Sequence, residues 1–401
     1  MRVYGPTPLK KCLILALTTV LAACGGGGGG SGSDASSPVG SPPPPQPVPS
    51  PSPPQPGPSP DNEVITATLS GSVGDGPIVG AALDFYDRHG GDIASFSSGD
   101  NADYRLSLRL QPEQFPLTIE AHGGVDLVTN LEPDFRLVSV VLEPGKQLTA
   151  NLNPFSTLIV QTARHMRGGP TLNNIASART SVLNHFGFGL DRRTVADPMR
   201  TPIDESNVAV MVKTSEAAGE TIRRTRNALL GTGVQSADEV IDILAADLMD
   251  GMIDGRGAPG ADPRVAAVAT IVSGQVLVES LTNQLRVDGV DAAAAMDNAI
   301  ALIRPTVPAD KRTASVPMTR QAARQAALSI AAAAAIANDA TLSAAAEILN
   351  ALPEDVLPSE ARGLLPAATF DALARAVERA AYGSAADVNL SNQKVRAGLP
   401  P

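Results

Sequence analysis

The sequence predicts two successive fold types: an all-β sandwich, then an all-α, alanine-rich helical region, carried behind a disordered Gly/Pro-rich tether. Three observations predict this. Residues 25–60 are dominated by Gly, Pro and Ser, with Asp34 as their only charge. Residues 64–152 alternate short apolar stretches with Gly, Pro and Asp turns, the pattern of a strand-rich domain. From Asn153 onward, apolar residues recur at helical spacing between capping residues and glycine stops.

Composition narrows the function. The chain has 401 residues with 31 Lys+Arg against 41 Asp+Glu, 3% aromatics and no Trp. An acidic, ring-poor chain argues against a nucleic-acid groove, which needs a basic face and stacking rings. It argues equally against a sugar platform of exposed aromatic rings. Two Cys and four scattered His leave little material for a structural zinc site or a disulfide framework.

The first element is an address. Arg2, Lys10 and Lys11 precede an apolar run from Cys12 to Ala23 that is too short to cross ~30 Å of hydrocarbon as a permanent helix. It suits the core of a signal peptide. The run ends in Leu21-Ala22-Ala23-Cys24, which resembles the lipobox of bacterial lipoproteins. That resemblance implies cleavage after residue 23, acylation of Cys24 and attachment to a membrane through the N-terminal lipid. Stable anchoring needs more than one acyl chain. Gly25 stands where an Asp would favour the inner membrane, so the resemblance implies the outer membrane, with its periplasmic or exterior face left open. Cys12 leaves with the signal, whose three cations take the formal net charge from −10 to −13.

Residues 24–62 follow as the tether. Gly25–Gly30 is a swivel, and 13 prolines between Pro38 and Pro60 favour extended polyproline II with a reach of roughly 70 Å. A ligand for a proline-recognising domain is the alternative, but no cation sits nearby to orient it.

Residues 63–152 are expected to supply the strands. These fall at Val64–Leu69, Ala81–Tyr86, Tyr104–Leu110, Leu117–Ile119, Val125–Thr129, Leu137–Leu142 and Gln147–Leu152. Ser70-Gly-Ser-Val-Gly-Asp-Gly-Pro-Ile-Val-Gly-Ala-Ala-Leu-Asp-Phe-Tyr-Asp87 and Asn101-Ala-Asp-Tyr-Arg-Leu-Ser-Leu108 resemble the carboxypeptidase-regulatory-like (transthyretin-like, or prealbumin-like) sandwich. That resemblance covers about residues 64–152 and implies a non-catalytic spacer or adhesive module. The sequence departs from the pattern at Asn101-Ala102-Asp103, where a glycine normally makes the turn. Asn153-Pro-Phe-Ser-Thr-Leu-Ile-Val160 resembles the segment joining such sandwiches to helical regions in bacterial surface lipoproteins, with Ser156 or Thr157 as the expected cap.

Residues 153–385 read as helical, and 386–401 as a flexible tail. Helices are expected at Thr171–Phe186, Asn207–Leu230, from the capping box Ser236–Glu239 to Gly251, from Asp262-Pro263 to Leu285, and at Asp291–Arg304, Thr319–Ala337, Thr341–Leu352 and Ala367–Ala381. Alanine runs at Ala292–Ala295 and Ala331–Ala335 let helix axes approach closely, and neither reaches membrane-spanning length without a charge. The junction at Asn151–Phe155 is short and apolar, which favours docked regions.

The search for chemistry returns little. Gly255-Arg-Gly-Ala-Pro-Gly260 matches a dinucleotide fingerprint in letters but follows a helix instead of a strand, so no nucleotide is expected. Asp247, Asp250, Asp254 and Asp262 are the candidate calcium ligands, since carboxylates at a helix end offer hard oxygens. A turn at Asp254 and a cap at Asp262 explain them equally well. Asp84, Asp87, Asp92, Asp100 and Asp103 read as solvated turns. His89, His122, His165 and His185 share no metal-ligand spacing. Arg223, Arg224 and Arg226 read as a solvated helix face paired with Glu216 and Glu220. The expectation is a non-enzymatic lipoprotein without cofactor, meeting the membrane through its lipid and an envelope ligand or protein through its body. A periplasmic enzyme or enzyme accessory with a site in the helical region, or a calcium-dependent adhesin, are the alternatives.

Overall fold

The computed structural model describes residues 64–312, 320–352, 362–384 and Val388. The signal at 1–23, Cys24, the tether, and residues 386–401 apart from Val388 lie outside the described residues. The described residues belong to one compact unit, Gly57–Pro401.

Strand β1 (Ile65–Ser72) is followed by β2 (Ile78–Val79), β3 (Ala82–Tyr86), β4 (Asp92–Ser97), β5 (Asp103–Leu110), β6 (Leu117–His122), β7 (Val125–Asp126), β8 (Leu137–Val141) and β9 (Gln147–Thr149). One sheet has the order β5-β1-β9, with β1 antiparallel to β5 and parallel to β9. A second, wholly antiparallel sheet has the order β4-β3-β6-β8. A two-residue ladder joins β2 to β7. Alternation along the strands buries Ala67 and Leu69 of β1, Leu83 and Phe85 of β3, and Leu117, Ile119 and Ala121 of β6. The Phe85 and Tyr104 rings bring the two sheets together edge-on at 5.9 Å, and the Tyr104 hydroxyl donates to the Ala150 carbonyl at 2.7 Å.

Three local outcomes differ from the expected strands. Val125–Thr129 is strand only at Val125–Asp126, because the Asp126 carboxylate folds the chain back by accepting from the Val128 amide. β4 lacks alternation and forms an edge, where pairing to β3 alone holds it. Ala102 adopts φ +52° and is buried, so the turn is made without the usual glycine, in a conformation costing an L-residue roughly 1–2 kcal/mol.

The helices are α1 (Pro154–His165), α2 (Leu172–Phe186), α3 (Val208–Leu229), α4 (Ala237–Leu248), α5 (Pro263–Leu281), α6 (Ala292–Ile303), α7 (Ala309–Arg312), α8 (Arg320–Ala337), α9 (Ala340–Ala351) and α10 (Thr369–Tyr382), with a small hairpin of β10 (Arg286–Val287) and β11 (Val290–Asp291) before α6. Ser236, Asp262 and Asp291 cap α4, α5 and α6. α1 is capped by Asn153 and not by Ser156 or Thr157: the Asn153 side chain accepts from the Ser156 amide at 2.8 Å, and Ser156 Oγ returns the bond. Ser156 and Thr157 face β8 instead, through Ser156 Oγ to the Val138 carbonyl and the Val138 amide to Thr157 Oγ1. This helix cover is why all five residues of β8 are buried.

α5 packs against α3, α8 and α10, and α8 against α9. Gly274 of α5 meets Ser329 and Ile330 of α8, where any Cβ would come within 3.1 Å of Ile330 Cδ1, so small residues set that close crossing. By length and hydropathy α5 is, among the described residues, the helix fit to cross a membrane, yet 72% of its apolar window is buried within this body. The buried apolar side chains run as one continuous cluster from β1 to Val388, which is itself buried although it falls in the expected tail.

Candidate functional site

The chemically densest place is where the β1–β2 turn meets α3. Every residue of α3 from Met211 to Arg223 is buried, although Lys213, Glu216, Glu220 and Arg223 lie among them. The turn Gly74-Asp75-Gly76-Pro77 carries Asp75 onto this helix, with Gly74 at φ +152°. Gly219 makes room for it: a Cβ there would lie 2.5 Å from Asp75 Oδ2. A mid-helix glycine costs ~1 kcal/mol relative to alanine, and here the close approach of a carboxylate accounts for it.

Arg223 is the centre. Its guanidinium donates to Asp75 Oδ2 at 2.5 Å, to Glu216 Oε1 at 2.5 Å and to Glu220 Oε2 at 3.0 Å. Arg224 extends the network, donating to Glu220 Oε1 at 2.7 Å, to Glu279 of α5 at 2.9 Å and to the Arg286 carbonyl. The expected solvated arginine face is therefore corrected: Arg223 is 3% exposed, and only Arg226, paired with Asp134 at 3.4 Å, fits that description in part. Three acids on two elements, Asp75 in the turn and Glu216 and Glu220 on α3, offset the cost of burying this guanidinium.

Asp126 of β7 closes the cluster from the other side. Its oxygens accept from the Val128 amide and the Thr129 hydroxyl. Burial, with Asp75 beside it, pushes Asp126 up to about 6. Burial also raises Glu216 well above the usual carboxylate range; Arg223 opposes this, and Asp75 and Asp126 add to it. For Arg223, burial works against the charge, but Asp75, Glu216 and Glu220 raise its pKa.

A second polar knot sits at the β–α junction. Asn151 Oδ1 accepts from the Ser72 amide at 3.1 Å, while Asn151 Nδ2 donates to the Thr201 carbonyl at 2.8 Å, and Asn153 Nδ2 to the Pro198 carbonyl at 2.9 Å. Between this knot and the Asp75 turn lies a cavity of about 40 Å³ bordered by Ala102, Ser215 and Arg304, room for a few waters at most. A larger, more polar cleft of about 380 Å³ adjoins it over Ser70, Arg105 and Thr149, with Arg304 held to Asp103 at 3.2 Å.

The four candidate calcium ligands are placed differently from a cage. Asp247 accepts from the Arg256 amide at 2.8 Å and the Gly257 amide at 3.3 Å, and burial, despite these bonds, raises it to about 6. Asp250 accepts from the Met252 amide, and Asp262 caps α5 through Arg264 and Val265. Asp254 is buried close enough to Asp247 to raise its pKa, so these two are brought together while Asp250 and Asp262 serve turn and cap. Among the described residues no group of three or more His, Cys, Asp or Glu is arranged to hold a metal ion. Asp87 shapes a turn through the His89 and Gly91 amides, and His185 Nε2 donates to the Gly251 carbonyl at 3.0 Å, tying α2 to the loop after α4.

No protein-family description, characterised protein or solved structure matches this chain. Two signals in the sequence pointed to the Arg223 cluster and went unread: the Gly-Asp-Gly turn at 74–76 and the glycine in the middle of α3.

Proposed function

We propose that the protein is a lipoprotein anchored in the outer membrane through Cys24, displaying a non-catalytic binding or structural module at the cell envelope. The observation that carries this reading is the joined β–α body, which begins directly after the Gly/Pro-rich segment and binds its strands to its helices through Asp75–Arg223 and Asn151–Thr201. A body so tied suits display as a unit on a spacer. The two sheets, with Gly76-Pro77-Ile78-Val79-Gly80-Ala81 leading into β3, support a carboxypeptidase-regulatory-like sandwich as its first part. The arginine cluster serves cohesion on this reading, since its charges face one another.

The test is acylation. Cys24→Ser removes the acceptor thiol, so the variant should stay unacylated and leave the membrane fraction. Labelled palmitate entering Cys24→Ser would overturn the assignment. A second reading, an acidic calcium-dependent site, draws on Asp247 and Asp254 being brought together. It requires calcium to raise the melting temperature of the wild type but not of Asp247→Asn/Asp254→Asn. The display reading expects no such difference.

A further inference from the structure

Glu216 of α3 and Asp126 of β7 meet beside Gly76. A Cβ on Gly76 would lie 2.4 Å from Asp126 Oδ1 and 2.8 Å from Glu216 Oε2, so the two oxygens flank one small space that no side chain fills. Glu216 is fully buried; its Oε1 accepts from Arg223, while its Oε2 has no hydrogen-bond partner. Asp126 Oδ1 accepts one amide, leaving a lone pair for a second donor. An ionised carboxylate oxygen without a donor in a buried site is costly, and two ionised acids side by side are more so. A single proton answers both problems by turning one acceptor into a donor.

We propose that Glu216 and Asp126 hold one shared proton near neutral pH, and that this proton is a structural ligand fastening β7 and the Gly74–Pro77 turn to α3. The charged groups facing the pair are Asp75 from the turn, Glu220 and Arg223 from α3, and, beyond Glu220, Arg224 with Glu279 from α5. Arg223 is shared by Asp75, Glu216 and Glu220, and Arg224 by Glu220 and Glu279, so two cations face five acids once Asp126 is included. The raised values of Asp126 and Glu216 accord with this geometry.

The sign follows from proton linkage. Acids with raised pKa bind protons more tightly in the folded than in the unfolded chain, so their contribution is complete below the unfolded value, about pH 4, and is lost as pH rises through the folded value, about 6 for Asp126 and well above the usual carboxylate range for Glu216. Stability should therefore decline from mildly acid to mildly alkaline pH.

The experiment uses the full mature chain with Cys24→Ser, in an Asp247→Asn background because burial raises Asp247 to a similar value. Infrared difference spectra across a pH titration should show a protonated carboxyl band persisting above about pH 6, and the melting temperature should fall by roughly 5 °C from about pH 5.5 to about pH 8. Glu216→Gln keeps an acceptor for Arg223 and supplies an amide N–H at the Oε2 position in place of the proton, so it should remove the band and flatten the pH dependence; Asp126→Asn, whose oxygen still accepts the Val128 amide, should remove the band as well. Absence of any carboxyl band above about pH 5 in the parent would overturn the proposal. So would an unchanged band and slope in Glu216→Gln. Should Glu216→Gln not fold, the band in the parent and its loss in Asp126→Asn decide.

Discussion

At Gly219 two single-residue effects oppose each other. Replacing a mid-helix glycine by alanine normally stabilises by ~1 kcal/mol. Here the new Cβ would lie 2.5 Å from the Asp75 carboxylate, which Arg223 holds in place. Overpacking of this kind costs typically ~1–3 kcal/mol, so Gly219→Ala should lower the denaturant midpoint. A raised midpoint would show that Asp75 moves aside freely. Arg223 is the more sensitive position. Arg223→Met leaves Asp75 and Glu216 buried without their counter-charge, with Glu220 still held by Arg224, and should cost about 3–5 kcal/mol in chemical denaturation. A loss below ~1 kcal/mol would mean that the acids had taken up protons and no longer needed it. These residues were hard to read in sequence because Glu216, Glu220, Arg223 and Arg224 have the spacing of an exposed ion-paired face. Their burial depends on Asp75, which is distant in the chain and arrives only with the folded turn.

At the scale of elements, most of the fold was legible. Caps at Ser236, Asp262 and Asp291 and stops near Gly187 and Gly251 predicted the helices to within a few residues, because local hydrogen bonding decides helix ends. Strands with inward alternation, such as β3 and β5, were equally readable. β4 and the β10–β11 hairpin were not, since their sequences carry no period and pairing alone makes them strands. The cap of α1 was misplaced because Ser156 and Thr157 are good capping residues in isolation, and their hydroxyls are drawn to β8 only in the folded protein. Asn153→Ala should cost about 1–2 kcal/mol, through the cap and the bond to the Pro198 carbonyl together. Ser156→Ala should also be destabilising, as it leaves the Val138 carbonyl without its hydroxyl donor. Equal stability of Asn153→Ala and the wild type would place the cap elsewhere.

Across the whole molecule, strands and helices form a single cooperative body. The continuous apolar cluster, the Asp75–Arg223 contact and the Asn151 knot all cross the boundary between the two fold types. The apolar junction at Asn151–Phe155 makes docking legible in the sequence, whereas the buried ion network shows there only as the Gly-Asp-Gly turn and the mid-helix glycine. Differential scanning calorimetry of the mature Cys24→Ser chain at neutral pH tests the claim most directly. The account predicts one transition whose calorimetric and van't Hoff enthalpies agree, with Arg223→Met shifting it as a whole to lower temperature. Two resolved transitions, with Arg223→Met moving only the one that reports the helices, would contradict it.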